Sequence, residues 1–193
     1  MKVALVNPRY RAVPFGSYGV TEHMGLASLA GYLRSRGLTT FILDGDVENL
    51  SNEQVAARVR EGAPDLVGLT GLYRSIGDAI EIGRAVSRML PGAFICFGGQ
   101  HATFAAEEML AHLPFVHAVV RGEGEVTLHE LVCRLREGAS LHGLPGVYFR
   151  DGGAVVKNPE RPPMEDMDSL PFPARDSLEK ALVRADGPAV IGV

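Results

Sequence analysis

Two neighbouring apolar segments that end in very small residues constrain this sequence more than any other feature. The first, LVGLT, ends at Thr70-Gly71, and the second, AFICF, ends at Gly98-Gly99. An amphipathic stretch of helical length separates them. Apolar strands joined through a helix are typical of buried parallel sheets, whose ligands bind beyond the carboxyl ends of the strands. We call these two strand ends the glycine corners. They predict a rim of the sheet where exposed backbone lets a large, flat ligand approach.

The same alternation of a short apolar run and a helical stretch occurs five times along the chain. We predict β-strands at residues 2–6, 39–43, 66–70, 93–97 and 116–120. Ser51 and Gln54 have the form of a capping box at the second helix, and Ser75 is expected to cap the third. This repetition predicts an α/β, flavodoxin-like doubly wound fold, with a five-stranded parallel sheet in three αβα layers.

The character of the sequence changes after Gly143. Apolar runs at 147–150 and 154–157 flank Asp151-Gly152-Gly153, which predicts a β-hairpin. Five prolines follow between residues 159 and 173, and the chain ends on the strand-like AVIGV. We therefore expect an α/β domain at 1–143, then a hairpin and proline-rich linker at 144–193, with the chain cut at a domain boundary.

Four loops with permissive residues are expected on the rim of the sheet. They contain Asn7-Pro8, Thr70-Gly71, Gly98-Gly99 and Gly122-Glu123-Gly124. The first loop, residues 7–22, is longer than the two to six residues usual for such a connection. We interpret it as a lid over a ligand on the rim, with an ordinary surface loop as the alternative.

Charge and hydropathy exclude several classes of function. The chain has 19 basic and 23 acidic residues, a net charge of −4 and no Lys/Arg block, so nucleic acid is a poor candidate partner. Its first apolar run is too short for a signal peptide, and no stretch approaches the ~20 apolar residues of a membrane span. Cys96 and Cys133 lack the spacing of zinc or iron-sulfur ligands. We expect reduced thiols in a cytoplasmic protein.

Structural roles account for the side chains that could otherwise act in catalysis or bind a metal. His101 follows the glycine pair at a predicted helix start, where capping is the expected role. The six histidines show no ligand-like spacing, so no metal site built from protein side chains alone is predicted. Glu123 and Glu125 suit a helix start because of the helix dipole. The sequence contains no GxGxxG after the first strand, no Walker motif and no GxSxG.

In the order of its motifs, the chain resembles the N-terminal cobalamin-binding domain of cobalamin-dependent radical S-adenosylmethionine (SAM) enzymes of the class B methyltransferase kind. The resemblance spans nearly all of the chain and rests on VALVNPRY, GLASLAGYLRSRG, PDLVGLTGLY, FGGQHATF, VVRGEGEVTLHEL and MDSLPFPARD. It implies that the corrin ring lies over the rim, and that the nucleotide tail of cobalamin enters between strands and helices.

The resemblance also assigns residues to the cofactor. Thr70-Gly71-Leu72 takes the place of the SxL segment of cobalamin domains, and Gly98-Gly99 that of their paired glycines beside the tail. Small residues of the first helix suit either a slot for the tail or close packing on the sheet: Gly25, Ala27, Ala30 and Gly31. The implied cofactor-binding residues are Asn7, Pro8, Thr70, Gly71, Leu72, Tyr73, Gly98, Gly99, Gln100, His101, Gly122 and Glu123.

Two motifs found in related proteins are absent from the sequence. NPRYRAVPFG replaces the DxHxxG loop whose histidine binds cobalt from below, which leaves water, no ligand, or a side chain such as Tyr73 or Arg74. The CxxxCxxC motif, which holds the 4Fe-4S cluster that cleaves SAM, is also missing. By resemblance it belongs to a radical SAM barrel acting in cis or trans. The chain is therefore expected to position a corrinoid for methyl transfer or radical chemistry, without being catalytic alone.

Two other functions remain open from the residues. A flavodoxin-like module would bind flavin or a nucleotide, with phosphate at a helix start such as Ser75. A stand-alone corrinoid carrier would shuttle methyl groups between partner proteins. A phosphorylated receiver is disfavoured, because the third strand ends at Thr70 rather than at an aspartate.

Overall fold

The computed structural model describes residues 1–9 and 22–180. Most of the loop interpreted as a lid, and the terminal AVIGV, lie outside these residues.

One seven-stranded sheet forms the centre of the described part of the chain, in the order β2-β1-β3-β4-β5-β6-β7. The strands are β1 Lys2–Asn7, β2 Thr39–Asp44, β3 Leu66–Thr70, β4 Phe94–Gly98, β5 Ala118–Val120, β6 Val147–Asp151 and β7 Ala154–Lys157. Strands β1 to β5 are parallel, whereas β6 and β7 are antiparallel to their neighbours. The parallel strands lie within two residues of the predicted bounds.

The sheet has seven strands and not the predicted five, because the predicted hairpin pairs with β5. Val147 and Phe149 of β6 are buried and alternate with the less buried Tyr148 and Arg150. Strand β5 is only three residues long and apolar throughout. By pairing with β5, β6 covers an edge that would otherwise expose unpaired backbone groups.

Helices cover both faces of the sheet. They are α1 Met24–Ser35, α2 Asn52–Gly62, α3 Ile76–Met89, α4 Gln100–Phe104, α5 Ala106–His112 and α6 Glu125–Glu137. Helices α1 and α6 pack on one face, which we call the α1/α6 face, and α2 to α5 pack on the opposite α2/α3 face. The longest helix has 14 residues, and none among the described residues is long and apolar enough to cross a membrane.

The helix starts agree only partly with the predictions. The capping box of Ser51 and Gln54 is confirmed. Ser75 makes no cap hydrogen bond to α3, because its Oγ instead accepts from the Leu72 N–H (3.1 Å). His101 lies inside α4, which begins one residue earlier and has Gly99 at its N-cap. Ser75 is therefore the N-cap of α3 by position, as predicted, but without a side-chain cap hydrogen bond, and the expected capping role of His101 is wrong.

Residues 158–180, which we call the arm, return along the α1/α6 face. The Ala174 N–H donates to the Ala27 carbonyl of α1 (2.8 Å). A Cβ at Gly31 would lie 2.5 Å from the Phe172 carbonyl oxygen, so only glycine lets the arm approach α1 this closely. The small residue at position 31 therefore serves the packing of the arm.

Candidate functional site

A cavity of about 280 Å³ opens at the carboxyl ends of the parallel strands, between the sheet and helices α1 and α6. Strand residues and the residues that follow them form one side: Leu5, Gly68, Leu69, Thr70, Cys96, Phe97, Gly98, Gly99 and Val120. The helices and the loop before α6 form the other: His23, Gly25, Leu26, Leu29, Gly122, Glu123, Gly124, Glu125 and Leu128. The cavity thus lies at the edge of the sheet where the sequence places a ligand.

The floor of the cavity exists because small residues lie side by side on β3 and β4. Gly68 pairs in register with Cys96, and Thr70 with Gly98. A Cβ at Gly98 would make an ordinary contact of 3.6 Å with the Val120 carbonyl oxygen and meet nothing closer, so a small side chain would fit there, and Gly98 lines the cavity. Burial raises the pKa of the Cys96 thiol to about 12, which keeps it neutral. The floor is therefore uncharged and suits an apolar, flat group.

Helices α1 and α6 meet beside the cavity and form its outer wall. The Ser28 hydroxyl donates to Glu125 Oε1 across the two helices (2.7 Å). A Cβ at Gly124 would lie 2.9 Å from Leu29 Cδ2, so glycine lets the loop before α6 approach α1. These contacts fix the width of the cavity at its mouth.

His23 is the N-cap of α1 and lines the cavity. Its Nδ1 accepts a hydrogen bond from the Leu26 N–H (3.2 Å), and its own backbone N–H donates to Asp44 Oδ2 (3.3 Å). Burial lowers the pKa of His23 below its ordinary value of 6.5, although the charge of Asp44 opposes this shift. Because Nδ1 accepts, a neutral His23 carries its proton on Nε2.

Asn7 and Pro8 do not line the cavity. The Asn7 side-chain amide donates to Oδ1 of the buried Asp44 (2.9 Å), an atom that also accepts from the backbone N–H groups of Asp46 and Val47. Pro8 is itself buried. In the structure these two residues belong to the hydrogen-bonded end of β1 and β2.

The two glycine corners lie next to each other. The Gly71 N–H donates to the Gly98 carbonyl (3.3 Å), and the His101 N–H donates to the Gly71 carbonyl (3.4 Å). Gly99 has φ +87°, and a Cβ there would lie 2.7 Å from Thr70 Oγ1. A Cβ at Gly71 would instead meet Ile76 Cδ1 of α3 at 2.5 Å. Gly99 therefore shapes the rim, whereas Gly71 makes room for the α2/α3 face.

Exposed apolar and aromatic residues follow the two glycine corners, in the segment after β3 and in α4, although none of them lines the cavity. Leu72 is 44% exposed, Tyr73 83% and Phe104 88%. The Tyr73 ring centroid lies 6.1 Å from that of His101. A group of large, exposed apolar side chains is typical of a surface that a ligand or partner covers.

Of the residues assigned from the sequence, five line the cavity: Thr70, Gly98, Gly99, Gly122 and Glu123. Residues 71–73, 100 and 101 lie on the rim outside it. Sequence reasoning missed the wall and floor residues His23, Leu26, Leu29, Gly68 and Cys96 as site residues. A glycine inside an apolar strand, such as Gly68, is the one signal that pointed to the floor.

Histidine, cysteine and carboxylate side chains do not converge at the cavity in the way a metal site requires. Within residues 1–9 and 22–180, no group of three or more such side chains could hold a metal ion. Glu123 is engaged elsewhere, because its Oε2 accepts from the Met164 N–H of the arm (2.7 Å).

A comparison with known protein families identifies the family of this chain. The family described as "B12 binding domain" matches residues 11–132. The chain belongs to the B12 binding domain family. The resemblance predicted from the sequence is therefore confirmed.

Relatives of this B12 binding domain are longer proteins. It is 34% identical to "Uncharacterized methyltransferase PH0819" of Pyrococcus horikoshii, over 97% of this chain and 41% of that protein. It is 32% identical to an anaerobic magnesium-protoporphyrin IX monomethyl ester cyclase of Rubrivivax gelatinosus, over 88% of this chain and 32% of that protein. The chain thus spans about two fifths or less of these two relatives.

Solved structures share the fold of this domain. The radical enzyme OxsB, bound to aqua-cobalamin and SAM, matches with a TM-score of 0.80 at 21% identity, over 94% of this chain and 25% of that chain. The methyltransferase TsrM from Kitasatospora setae, with cobalamin and a [4Fe-4S] cluster bound, matches with a TM-score of 0.65 at 22% identity, over 92% of this chain and 32% of that chain. At these identities the likeness concerns the fold.

Proposed function

We propose that this chain binds cobalamin, with the nucleotide tail in the cavity and the corrin ring over the rim. The observation that carries the proposal is the cavity itself, which lies between the α1/α6 wall and a floor of small residues and opens beside both glycine corners. Membership of the B12 binding domain family supports the same ligand.

The size of the cavity fits only part of cobalamin. Sites that enclose a drug-sized ligand usually have about 300–1,000 Å³. A cavity of about 280 Å³ suits a benzimidazole nucleoside and leaves the far larger corrin outside. The neutral floor at Gly68, Cys96 and Gly98 would accept the flat base, because its burial there desolvates no charged side chain.

The rim of the sheet fits the corrin ring, which the cavity cannot hold. The exposed side chains of Leu72, Tyr73 and Phe104 would be covered by the face of the corrin ring, which removes part of their apolar area from water. Gly98 and the adjoining loops would let the ring approach the backbone closely. When bound, the cobalt of the corrinoid supplies methyl transfer or radical chemistry, and the chain's own residues bind and orient it.

We also propose how this domain fits into a larger enzyme. Residues 1–143 would be the cobalamin-binding domain with a flavodoxin-like arrangement, and residues 144–193 the hairpin and linker toward a radical SAM barrel in cis or trans. That barrel would hold the 4Fe-4S cluster and SAM. The relatives and the cobalamin-bound OxsB and TsrM support this organisation. A cytoplasmic location is proposed because Cys96 and Cys133 are free thiols.

Retention of hydroxocobalamin on gel filtration, followed by its visible absorbance, tests the proposal. We expect the wild-type chain to retain the cofactor and Gly98→Leu to bind at least about a hundredfold more weakly, because the new side chain fills the cavity. Gly92→Leu is the matched control, since a Cβ there meets nothing within 4 Å and the residue lies in the turn before β4, away from the rim.

A wild-type chain that retains no corrinoid would refute the proposal. Equal retention by both leucine variants would refute the placement of the tail. Uptake of FMN instead would favour the flavin alternative. For that alternative the structure offers little, because Ser75 is buried on the α2/α3 face and does not line the cavity.

A further inference from the structure

The charge at the mouth of the cavity is unusual for a site that accepts a nucleotide. Two carboxylates, Glu123 and Glu125, line it, and no Lys or Arg is among the described lining residues. Each carboxylate already accepts one hydrogen bond, from the Met164 N–H and the Ser28 hydroxyl respectively. The tail of cobalamin contains a phosphodiester, so a side-chain donor away from these carboxylates would favour its negative charge.

The lining side chains offer few donors. Among the described lining residues, only the Thr70 hydroxyl and the His23 imidazole carry polar hydrogens on their side chains, apart from the Cys96 thiol. Thr70 is 6% exposed and lies on the strand side against Gly99. His23 lies on the opposite wall, at the N-terminus of α1, where the helix dipole also favours an anion.

The hydrogen-bond pattern of His23 leaves one ring atom available. Nδ1 is occupied by the Leu26 N–H, which fixes the tautomer with hydrogen on Nε2. No described residue accepts a hydrogen bond from Nε2. Gly25 lies beside the ring, where a Cβ would approach Cε1 to 3.2 Å, so the small residue at this position keeps the imidazole uncrowded.

We propose that His23 donates a hydrogen bond from Nε2 to a phosphate oxygen of the cobalamin tail. The residue would thereby favour corrinoids that carry a nucleotide tail over those that lack one. The inference rests on the proposed function, because it presupposes that the tail enters this cavity.

The test compares three corrinoids on the full chain: cobalamin, cobinamide phosphate and cobinamide, which lacks the phosphate, ribose and base. The variant is His23→Ser, because serine is a favourable N-cap that keeps an acceptor for the Leu26 N–H while removing the imidazole. Hydrogen bonds to charged groups are worth enough to change a dissociation constant about tenfold to a hundredfold. We expect that loss for cobalamin and cobinamide phosphate, and less than about threefold for cobinamide.

Equal losses for all three ligands, or no loss for any, would overturn the role of His23. A loss for cobalamin alone would overturn phosphate as the acceptor. Thermal unfolding of the ligand-free variant is measured alongside, and His23→Asn provides a second capping residue should the serine variant unfold. The proposed function fails separately, when the wild-type chain binds neither cobalamin nor cobinamide.

Discussion

Glycines on the α2/α3 face serve packing, whereas some glycines on the α1/α6 face also line a cavity. On the α2/α3 face, the protein itself fills the space of the missing side chain: a Cβ at Gly71 would lie 2.5 Å from Ile76 Cδ1, and one at Gly83 would lie 2.9 Å from Phe115 Cε2. On the α1/α6 face, Phe172 and Leu29 fill the space beside Gly31 and Gly124 in the same way. Gly98 differs, because it lines the cavity and a Cβ there would make only an ordinary contact of 3.6 Å with the Val120 carbonyl oxygen. A glycine therefore indicates a ligand site only where no neighbouring atom of the protein takes the place of its side chain.

Truncation of a large buried residue on each face gives the largest expected difference. Ile82 is fully buried on the α2/α3 face, so Ile82→Ala should leave a void and lower the free energy of unfolding by about 2–5 kcal/mol. Leu128 is 3% exposed but lines the cavity, so one side of it already lacks packing partners. Leu128→Ala should therefore cost less, about 2 kcal/mol.

Guanidinium unfolding of the ligand-free chain measures both truncations, with the dependence on denaturant checked for each variant. Equal losses would contradict the comparison, because they would mean that the α1/α6 face is as tightly filled as the other.

The second comparison enlarges a glycine on each face instead of truncating a large residue. Gly83→Leu should lower the free energy of unfolding by about 1–3 kcal/mol, because Phe115 and Leu69 already occupy that space. Gly98→Leu should cost less, under about 1 kcal/mol, since a Cβ there makes only an ordinary contact with the Val120 carbonyl oxygen and the residue lines the cavity. Thermal and denaturant unfolding compare the two. A Gly98→Leu variant as unstable as Gly83→Leu would show that the cavity is not free space.

The sequence predicted the parallel strands well because their signals are local. Apolar runs and small terminal residues mark each strand, and the bounds agree within two residues. It did not predict that the hairpin joins β5, because strand pairing depends on residues distant in the chain. The periodicity of a sequence does not predict which strands pair.

The residues of the candidate site also fall into two groups, those with a local sequence signal and those placed by contacts between distant residues. The rim at Thr70 and Gly98 was predictable from strand ends. Gly71 looked equivalent to Gly98, yet Ile76 fills its space, and no sequence pattern distinguishes the two. His23 was missed because its place depends on α1 meeting the end of β2 at Asp44, a contact between residues far apart in the chain.

The smallest expected loss of stability concerns an ion pair between the arm and α1 on the α1/α6 face. Arg34 of α1 donates to Asp176 of the arm (2.8 Å) and holds the pKa of that carboxyl below its ordinary value of 3.8. Both side chains are more than a third exposed, so Asp176→Asn should cost only about 0.2–1 kcal/mol at pH 7.

The pH dependence of this loss identifies its source. A carboxyl whose pKa is lowered in the folded state stabilises the fold above its unfolded pKa, and this contribution is lost as the pH falls through the folded value. The difference between wild type and Asp176→Asn should therefore be constant above about pH 5, shrink below about pH 4 and decrease in 1 M salt. A difference that persisted at pH 2 would mean that the asparagine disturbs the backbone of the arm.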